Sequence, residues 1–252
     1  MPQVLQAYIG QGNHLPSGGP YAILPPSWYK KRYRVPFIDK CEWKDKACIK
    51  KSAQKAVPFF ANGLPEFGVK ALDPIKINKV SLEESGLSLT FEDFQVVGPS
   101  KAKILSVDRD EAPSYIKLEV ECPIDVTGTY TASGQLLFVP IEGHGPFRVN
   151  TNNIYIWAKV AVSTVDGPDG EKHWKIGKFE YTYEPKDKTL LDFKNLFNGD
   201  KNKAAPIEKI LDENWLELMK LFAKPIISKV IHEIKDDIQS FVKAVPAKDL
   251  EL

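Results

Sequence analysis

The sequence predicts an α+β fold in which a strongly curved antiparallel β-sheet wraps around a long C-terminal α-helix. Two periodicities lead to this prediction. Apolar residues recur at spacings of three and four from Pro206 to Val245, as on one face of a helix. From Ile75 to Leu196 they alternate with polar residues, as in the strands of an antiparallel sheet. So much sheet has more apolar surface than a flat layer could bury against one helix, which favours a curved sheet.

The composition is that of an ordinary globular protein and excludes some classes of function. Of the 252 residues, 43% are hydrophobic and 27% are charged, so the chain can form one large domain or two small ones. The formal net charge is +1, and no strong field therefore favours nucleic acid as a partner. No run approaches about eighteen apolar residues, so we expect no stable insertion into a membrane.

The N-terminal 36 residues are rich in glycine and proline, which predicts an extended leader before a single domain from residue 37 to 252. The N-terminus lacks the basic region and apolar core of a signal peptide. A basic cluster lies in the leader: Lys30, Lys31, Arg32 and Arg34. This cluster could meet an anionic surface or mark a processing site, and a solvated leader is the simpler interpretation.

The domain begins with a helix and continues with strands. Asp45 to Phe60 has helical periodicity, which Asn62-Gly63 and Pro65 end. Alternation then marks strands at Leu87, Leu89 and Phe91; Ile116, Leu118, Val120 and Cys122; Ile154, Ile156, Ala158, Val160 and Val162; and Trp174, Ile176, Phe179, Tyr181 and Tyr183. We expect turns at 84–86, 98–100, 132–134, 143–146 and 166–170.

The C-terminal helix is long enough to raise a problem of size. Pro206 suits a first helical turn, and Pro246 ends the periodic run. About forty helical residues span roughly 60 Å, whereas a compact domain of this length has a diameter of roughly 45 Å. Either the molecule is elongated around this helix or Pro225 kinks it.

The residue patterns of the common enzymes are missing. There is no nucleophile elbow, no phosphate-binding loop and no dinucleotide fingerprint. The four histidines are scattered, without the spacing of zinc ligands, and we expect each of them on the surface. We therefore predict no catalytic residues, no metal site and no catalytic cofactor.

The interior has two interpretations. Aromatic residues are frequent in the sheet and helices, so the interior could be a filled aromatic core. Alternatively, part of it stays open for a long apolar ligand, with the hydroxyl of Tyr130 as a polar contact. The three cysteines also leave a choice. Cys41 and Cys48 could form a local disulfide with Cys122 a buried thiol, or all three could be reduced.

An ordered series of motifs runs through most of the chain. Its members are Cys41 with Cys48, Val57-Pro58, Gly63 to Val69, Leu72-Asp73-Pro74, Gly128-x-Tyr130-x-x-x-Gly134, Leu137 to Ile141 with Gly143 and Gly145, Asn195 to Gly199, and Leu211 to Trp215. This series, from about Cys41 to Pro246, is specific as a whole and resembles the insect takeout and haemolymph juvenile-hormone-binding protein family, within the tubular lipid-binding proteins. The leader is longer than in that family, and Cys122 has no partner cysteine.

The resemblance implies a disulfide between Cys41 and Cys48, an elongated molecule with an internal apolar tunnel, and secretion into an extracellular fluid such as haemolymph. It implies a non-catalytic, monomeric carrier of a long hydrophobic molecule: an isoprenoid or other terpenoid, a fatty acid, a quinone or a carotenoid. The expected ligand contacts are Phe60, Leu89, Phe91, Tyr130, Phe138, Ile156, Phe179, Tyr181, Trp215, Leu218, Phe222 and Ile226. The alternative is an interaction protein whose basic leader engages a membrane or receptor, with lipid binding secondary.

Overall fold

The computed structural model describes residues 35–110 and 114–252. Within them lie four α-helices: α1 (Lys46–Asn62), α2 (Lys201–Glu213), α3 (Trp215–Phe222) and α4 (Lys224–Ala244). The same residues form seven strands: β1 (Ile75–Glu84), β2 (Leu87–Val97), β3 (Lys103–Asp110), β4 (Tyr115–Leu136), β5 (Val139–Asp166), β6 (Lys172–Pro185) and β7 (Leu190–Phe193). The leader predicted for residues 1–36, with its basic cluster, falls outside the described residues except for Val35 and Pro36.

All seven strands belong to one antiparallel sheet with the central order β1-β2-β4-β5-β6. The long strands β4 and β5 form its middle and pair from Tyr115 opposite Ala161 to Leu136 opposite Val139. Strand β3 pairs with the first half of β4, and β7 pairs with the first half of β5. The predicted α+β class with a large antiparallel sheet is confirmed.

The sheet curves around the C-terminal helix. Helix α4 contacts both β1 and β6, the two ends of the central strand order, and a flat sheet could not bring both of these strands to one helix. Register shifts interrupt the ladders of β2 with β4, of β4 with β5 and of β5 with β6. Such bulges bend strands and increase their twist, which produces the curvature. The predicted wrapping of the sheet around a C-terminal helix is confirmed.

The C-terminal helical region is divided into three helices, which corrects the expected run from Pro206. Helix α2 begins earlier, because the Asp200 carboxylate caps it by accepting hydrogen bonds from the backbone N–H groups of Asn202 and Lys203. The helix breaks at Asn214 and again at Ala223. Pro225 follows the second break and lies in the first turn of α4, where its missing N–H has no helical partner to lose.

Two of the expected turns are wrong because their glycines serve close packing inside strands. Residues 132–134 lie within β4, and residues 143–146 lie within β5. A Cβ on Gly134 would lie 2.0 Å from the carbonyl oxygen of Gly86, since the β1–β2 turn approaches β4 there. The turn between β4 and β5 is instead made by Leu137 and Phe138, both at positive φ.

His173 and Asp237 are two buried polar residues, and His173 was expected on the surface. His173 lies under the β5–β6 connection, with its Nε2 atom 3.0 Å from a carboxylate oxygen of Asp169. Asp237 is buried on α4, where its carboxylate accepts a hydrogen bond from the backbone N–H of Lys70. The sequence pattern missed both because their partners come from distant or irregular segments.

The predicted disulfide is confirmed. Cys41 and Cys48 are bonded, with their Cα atoms 5.7 Å apart. The backbone carbonyl of Cys41 also accepts a hydrogen bond from the N–H of Leu252, so the disulfide-bonded segment holds the C-terminal residues. Cys122 is a free, buried cysteine, and burial raises the pKa of its thiol to about 11. A thiol with so high a pKa carries little thiolate at neutral pH and is unreactive.

Candidate ligand cavity

The apolar face of α4 packs against two different hydrophobic clusters. Its first half, including Ile226 and Ile234, packs against the larger cluster formed by the inner face of the sheet and helix α2. Its second half belongs to a smaller cluster at the opposite end of the helix. We call the smaller one the aromatic cluster; its buried members are Phe37, Ala56, Leu64, Phe67, Val69, Phe241, Val242 and Val245, with Phe60 packed against them.

The larger cluster contains a cavity between the sheet and helices α2, α3 and α4. The cavity has a volume of about 130 Å³. Its wall is formed by Leu87, Leu89, Phe91, Ile124, Val126, Ala132, Leu136, Ile141, Phe147, Val149, Thr151, Ile154, Leu191, Phe193, Leu211, Leu218, Met219, Phe222, Ala223, Ile226 and Ile227.

Strand and helix periodicities bring these side chains to one wall. Leu87, Leu89 and Phe91 are alternate residues of β2 and therefore point to the same face of the sheet. Leu218 and Phe222 are four residues apart on α3, which places them on one face of that helix. The concave side of the sheet thus faces the apolar sides of the helices across the cavity.

The wall is almost entirely apolar. Of the described residues that line it, all except Thr151 have hydrocarbon or thioether side chains. The Thr151 hydroxyl is buried and donates to the backbone carbonyl oxygen of Asn153 over 3.4 Å, a long and therefore weak hydrogen bond. No charged side chain is among these lining residues. The wall can therefore bind by apolar burial, with one hydroxyl that could reorient toward a ligand.

The structure places five of the expected ligand contacts on this wall: Leu89, Phe91, Leu218, Phe222 and Ile226. The first two lie on β2, and the other three lie on α3 and α4. They come together because the apolar faces of strand and helix meet at the cavity.

Tyr130, which was expected to supply a polar contact, is not among the residues that line the cavity. Its hydroxyl donates a 2.8 Å hydrogen bond to the backbone carbonyl of Lys194, behind the wall residue Phe193. Gly143 makes room for this hydroxyl, since a Cβ there would lie 2.7 Å from it. Burial raises the pKa of Tyr130 to about 12. The residue is a packed structural tyrosine.

Phe60 and Phe138 lie outside the wall for opposite reasons. Phe60 packs into the aromatic cluster, with its ring centroid 5.0 Å from that of Phe241. Phe138 lies at the tip of the β4–β5 hairpin with 93% of its surface exposed, so it contacts little of the protein. The apolar residue type suggested a wall position in both cases, but neither side chain faces the cavity.

The remaining four expected contacts also lie away from the wall. Ile156 is on β5, opposite Val120 of β4. Phe179 and Tyr181 stack on each other on β6, and Phe179 packs edge-on against His232 of α4. Trp215 is the half-buried first residue of α3.

Several wall residues were missed by the sequence analysis, although a signal for most of them exists. Ile124, Val126, Phe147 and Val149 occur in alternating pairs on β4 and β5, as inward-facing strand residues do. Met219 and Ile227 could not be found in this way, because they lie beside the main helical stripe. They lie four residues before and four residues after Ala223, at the break between α3 and α4.

Other kinds of site are not seen in residues 35–110 and 114–252. No group of three or more His, Cys, Asp or Glu side chains there could hold a metal ion. None of the helices in these ranges combines the length and the apolar character needed to cross a membrane.

The fold and the cavity define a class of protein in which an antiparallel sheet curves around a C-terminal helix and encloses an apolar cavity beside it. The profile of the haemolymph juvenile hormone binding protein (JHBP) family matches residues 23–251. The chain belongs to this family, and the resemblance seen in its motifs is confirmed.

Individual relatives agree with this assignment. The crystal structure of takeout 1 from Epiphyas postvittana is similar with a TM-score of 0.82 and 29% identity, covering 85% of this chain and 99% of that one. The circadian clock-controlled protein daywake of Drosophila melanogaster is 25% identical over 193 residues, 72% of this chain and 74% of its own length. The "Putative beta-carotene-binding protein" of Schistocerca gregaria is 24% identical over 152 residues, 59% of this chain and 60% of its own length.

Proposed function

We propose that the protein is a non-catalytic, secreted carrier that binds a long hydrophobic small molecule in the cavity beside α3 and α4. The observation that carries this proposal is the wall itself, which is apolar at every described position except Thr151. The family name refers to a hormone-binding protein, and the name of one relative refers to carotene. Both names fit an apolar ligand bound without chemical change.

Binding is driven by the burial of hydrocarbon. Each buried methylene group contributes about 0.8 kcal/mol, so a chain of about fifteen carbons gains on the order of 12 kcal/mol before the cost of association. This gain needs no charged contact, and the wall offers none among its described residues. Release then depends on a competing apolar environment, since no bond has to be broken.

The wall selects neutral ligands over ionised ones. An ionised carboxylate placed in this cavity would lose its hydration and find no cation to pair with, which is strongly unfavourable. A ligand with one neutral oxygen can approach the Thr151 hydroxyl, whose present hydrogen bond to Asn153 is weak. An isoprenoid alcohol, a quinone or a carotenoid therefore suits the site better than a fatty acid does.

A long ligand requires α3 to move. A cavity of about 130 Å³ is similar in scale to engineered apolar cavities of roughly 150 Å³ that bind benzene. It therefore accommodates a ring-sized group in the conformation described. Helix α3 contributes Leu218, Met219 and Phe222 to the wall and is bounded by the breaks at Asn214 and Ala223. Displacement of this short helix enlarges the cavity without unwinding α4.

The disulfide supports secretion. Disulfides persist in oxidising compartments and are rare in the cytosol, and Cys41 and Cys48 form one beside the C-terminal residues. A monomer that carries its ligand through an extracellular fluid is the simplest arrangement consistent with this bond and with the family assignment.

Organic extraction of the purified full chain, followed by mass spectrometry, tests the proposal. We expect a neutral apolar molecule in stoichiometric amount, and a bound polyene would also absorb visible light. Protein that contains no such molecule and takes up no retinol when titrated would contradict the proposed function.

Retinol and retinoic acid make a matched pair that tests the preference for neutral ligands. We expect the affinity for retinol to be constant between pH 6 and 8. The acid must bind in its protonated form, so its affinity should fall about tenfold for each pH unit above the carboxyl pKa. Fluorescence titration measures both affinities, and equal, pH-independent affinities would show that the wall does not discriminate by charge.

A further inference from the structure

The hairpin between β4 and β5 ends in two exposed apolar residues. Leu136 pairs with Val139, so the turn consists of Leu137 and Phe138 alone. Their side chains are 40% and 93% exposed. With their neighbours they form an uninterrupted apolar run from Leu136 to Pro140. A run of this kind at an exposed tip is unfavourable in water unless it has a function.

The backbone of this turn makes the choice of residues more unusual. Leu137 and Phe138 have φ values of 47° and 70°. A two-residue hairpin turn with positive φ at both positions prefers Asn-Gly, because bulky side chains are disfavoured in this conformation. Phe138 therefore gains little from packing and also occupies a strained backbone position. Such strain is found where a residue has a role beyond stabilising the fold.

The tip is directly connected to the cavity wall. Leu136, which precedes the turn, is buried and lines the cavity. Ile141, on the returning strand, lines it as well. The apolar surface exposed at the tip therefore begins one residue away from the apolar surface that faces the ligand.

We propose that Leu137 and Phe138 dock the protein on a neutral lipid surface, where the cavity exchanges its ligand. The inference rests on the proposed function, because a carrier of an apolar molecule has to collect and release it at an apolar phase. When Leu137 and Phe138 insert into the lipid layer, the cavity wall comes close to its apolar interior. No segment of the protein has to cross the membrane.

The small area of the tip favours a lipid layer over a protein partner. A phenylalanine buries about 150–250 Å², whereas a stable protein interface buries about 800 Å² on each partner. Two tip residues cannot supply such an interface, and a fluid lipid layer needs no complementary shape. Even a myristoyl chain gives only marginal, reversible membrane binding, so docking through two side chains is transient.

The charges near the tip indicate the kind of lipid. Glu84 and Glu142 are exposed at the same end of the sheet, in register with Leu87 and Ser133. Neither carboxylate forms an ion pair with another described residue. Anionic head groups would repel them, so the tip suits neutral head groups such as phosphatidylcholine.

The double substitution Leu137→Asn with Phe138→Gly tests the proposal without endangering the fold. It removes both apolar side chains and installs the pair that this turn prefers, so the melting temperature should stay constant or rise. We expect the fraction of full chain that floats with phosphatidylcholine vesicles to fall at least fivefold. Replacing part of the phosphatidylcholine with phosphatidylserine should reduce the tip-dependent fraction of the wild type.

Leu190→Ser is the matched control. Leu190 is 49% exposed and lies on β7 opposite Asn150, about 35 Å along β5 from the tip. This variant should float as the wild type does.

Equal flotation of the double variant and the wild type would overturn the proposal, as would a tip-dependent fraction that rises with phosphatidylserine. Retinol uptake from a cyclodextrin complex separates the docking proposal from the proposed carrier function, because it requires no lipid surface. We expect the double variant to take up as much retinol as the wild type. If neither protein takes up retinol, the carrier function is refuted instead.

Discussion

The two halves of α4 carry the same apolar stripe and meet different surroundings. In the second half, Phe241 lies in the aromatic cluster, with ring centroids 5.0 Å from Phe60 and 5.2 Å from Phe67. In the first half, Ile226 and Ile227 face a cavity. One end of the helix is therefore packed with aromatic rings, while the other end leaves space beside the sheet.

The difference follows from what lies opposite the helix. Around Phe241, rings from α1 and from the segment after it fill the space. Around Ile226, the opposite surface is the curved sheet, and the neighbouring helix α3 is only eight residues long. The aromatic cluster is a filled core, and the cavity region is the proposed ligand site. Substitutions in the two regions should therefore affect stability and binding separately.

The largest effect on stability is expected for Phe241→Ala in the aromatic cluster. Removal of this buried ring leaves a cavity among aromatic neighbours and should lower the free energy of unfolding by about 3 to 5 kcal/mol. Denaturant titration measures the loss. The affinity for retinol should stay within about twofold of the wild type, and a large loss of affinity in folded protein would show that the two regions are coupled.

A smaller loss of stability is expected for Phe222→Ala in the cavity wall. The ring is half-buried and already borders empty space, so the free energy of unfolding should fall by only about 2 kcal/mol. The affinity for retinol should change at least threefold, because the ring forms part of the wall. A pattern like that of Phe241→Ala, with stability lost and binding kept, would remove Phe222 from the proposed site.

The smallest effect is expected for Tyr130→Phe. This variant keeps the packed ring and leaves the carbonyl of Lys194 without its hydroxyl donor, at a cost of about 1 kcal/mol. Retinol titration should show no change, because the hydroxyl lies behind the wall. A clear loss of retinol affinity at unchanged stability would restore Tyr130 as a ligand contact.

The sequence predicted the elements of this fold far better than the space between them. Periods of two and of 3.6 residues mark inward-facing positions such as Leu89 and Leu218, and these do reach the cavity. The break at Asn214 was not predicted, because no glycine or proline marks it, whereas the break at Ala223 lies two residues before Pro225, where a kink was one of the two alternatives. The turn at Leu137 and Phe138 was missed for the same reason as the break at Asn214, since its residues are not those that turns prefer.

Whether an inward-facing residue meets a ligand or another side chain could not be predicted from periodicity. Phe60 and Phe91 are both apolar and both face inward, yet Phe60 packs on Phe241 while Phe91 borders the cavity. The outcome depends on how completely the side chains of several distant segments fill a shared volume. How completely this volume is filled is a property of the assembled structure.

One pair of matched substitutions tests the contrast between the two regions most directly. Ala56 is buried in the aromatic cluster, and Ala132 is buried in the cavity wall. Ala56→Leu should lower the free energy of unfolding by about 1 to 3 kcal/mol, because a filled region has no room for the added atoms. Ala132→Leu should cost less than about 1 kcal/mol and weaken retinol binding at least tenfold, because its added atoms occupy the cavity. If Ala132→Leu costs as much stability as Ala56→Leu and leaves retinol binding unchanged, the region beside α3 and α4 is a filled core and not a ligand site.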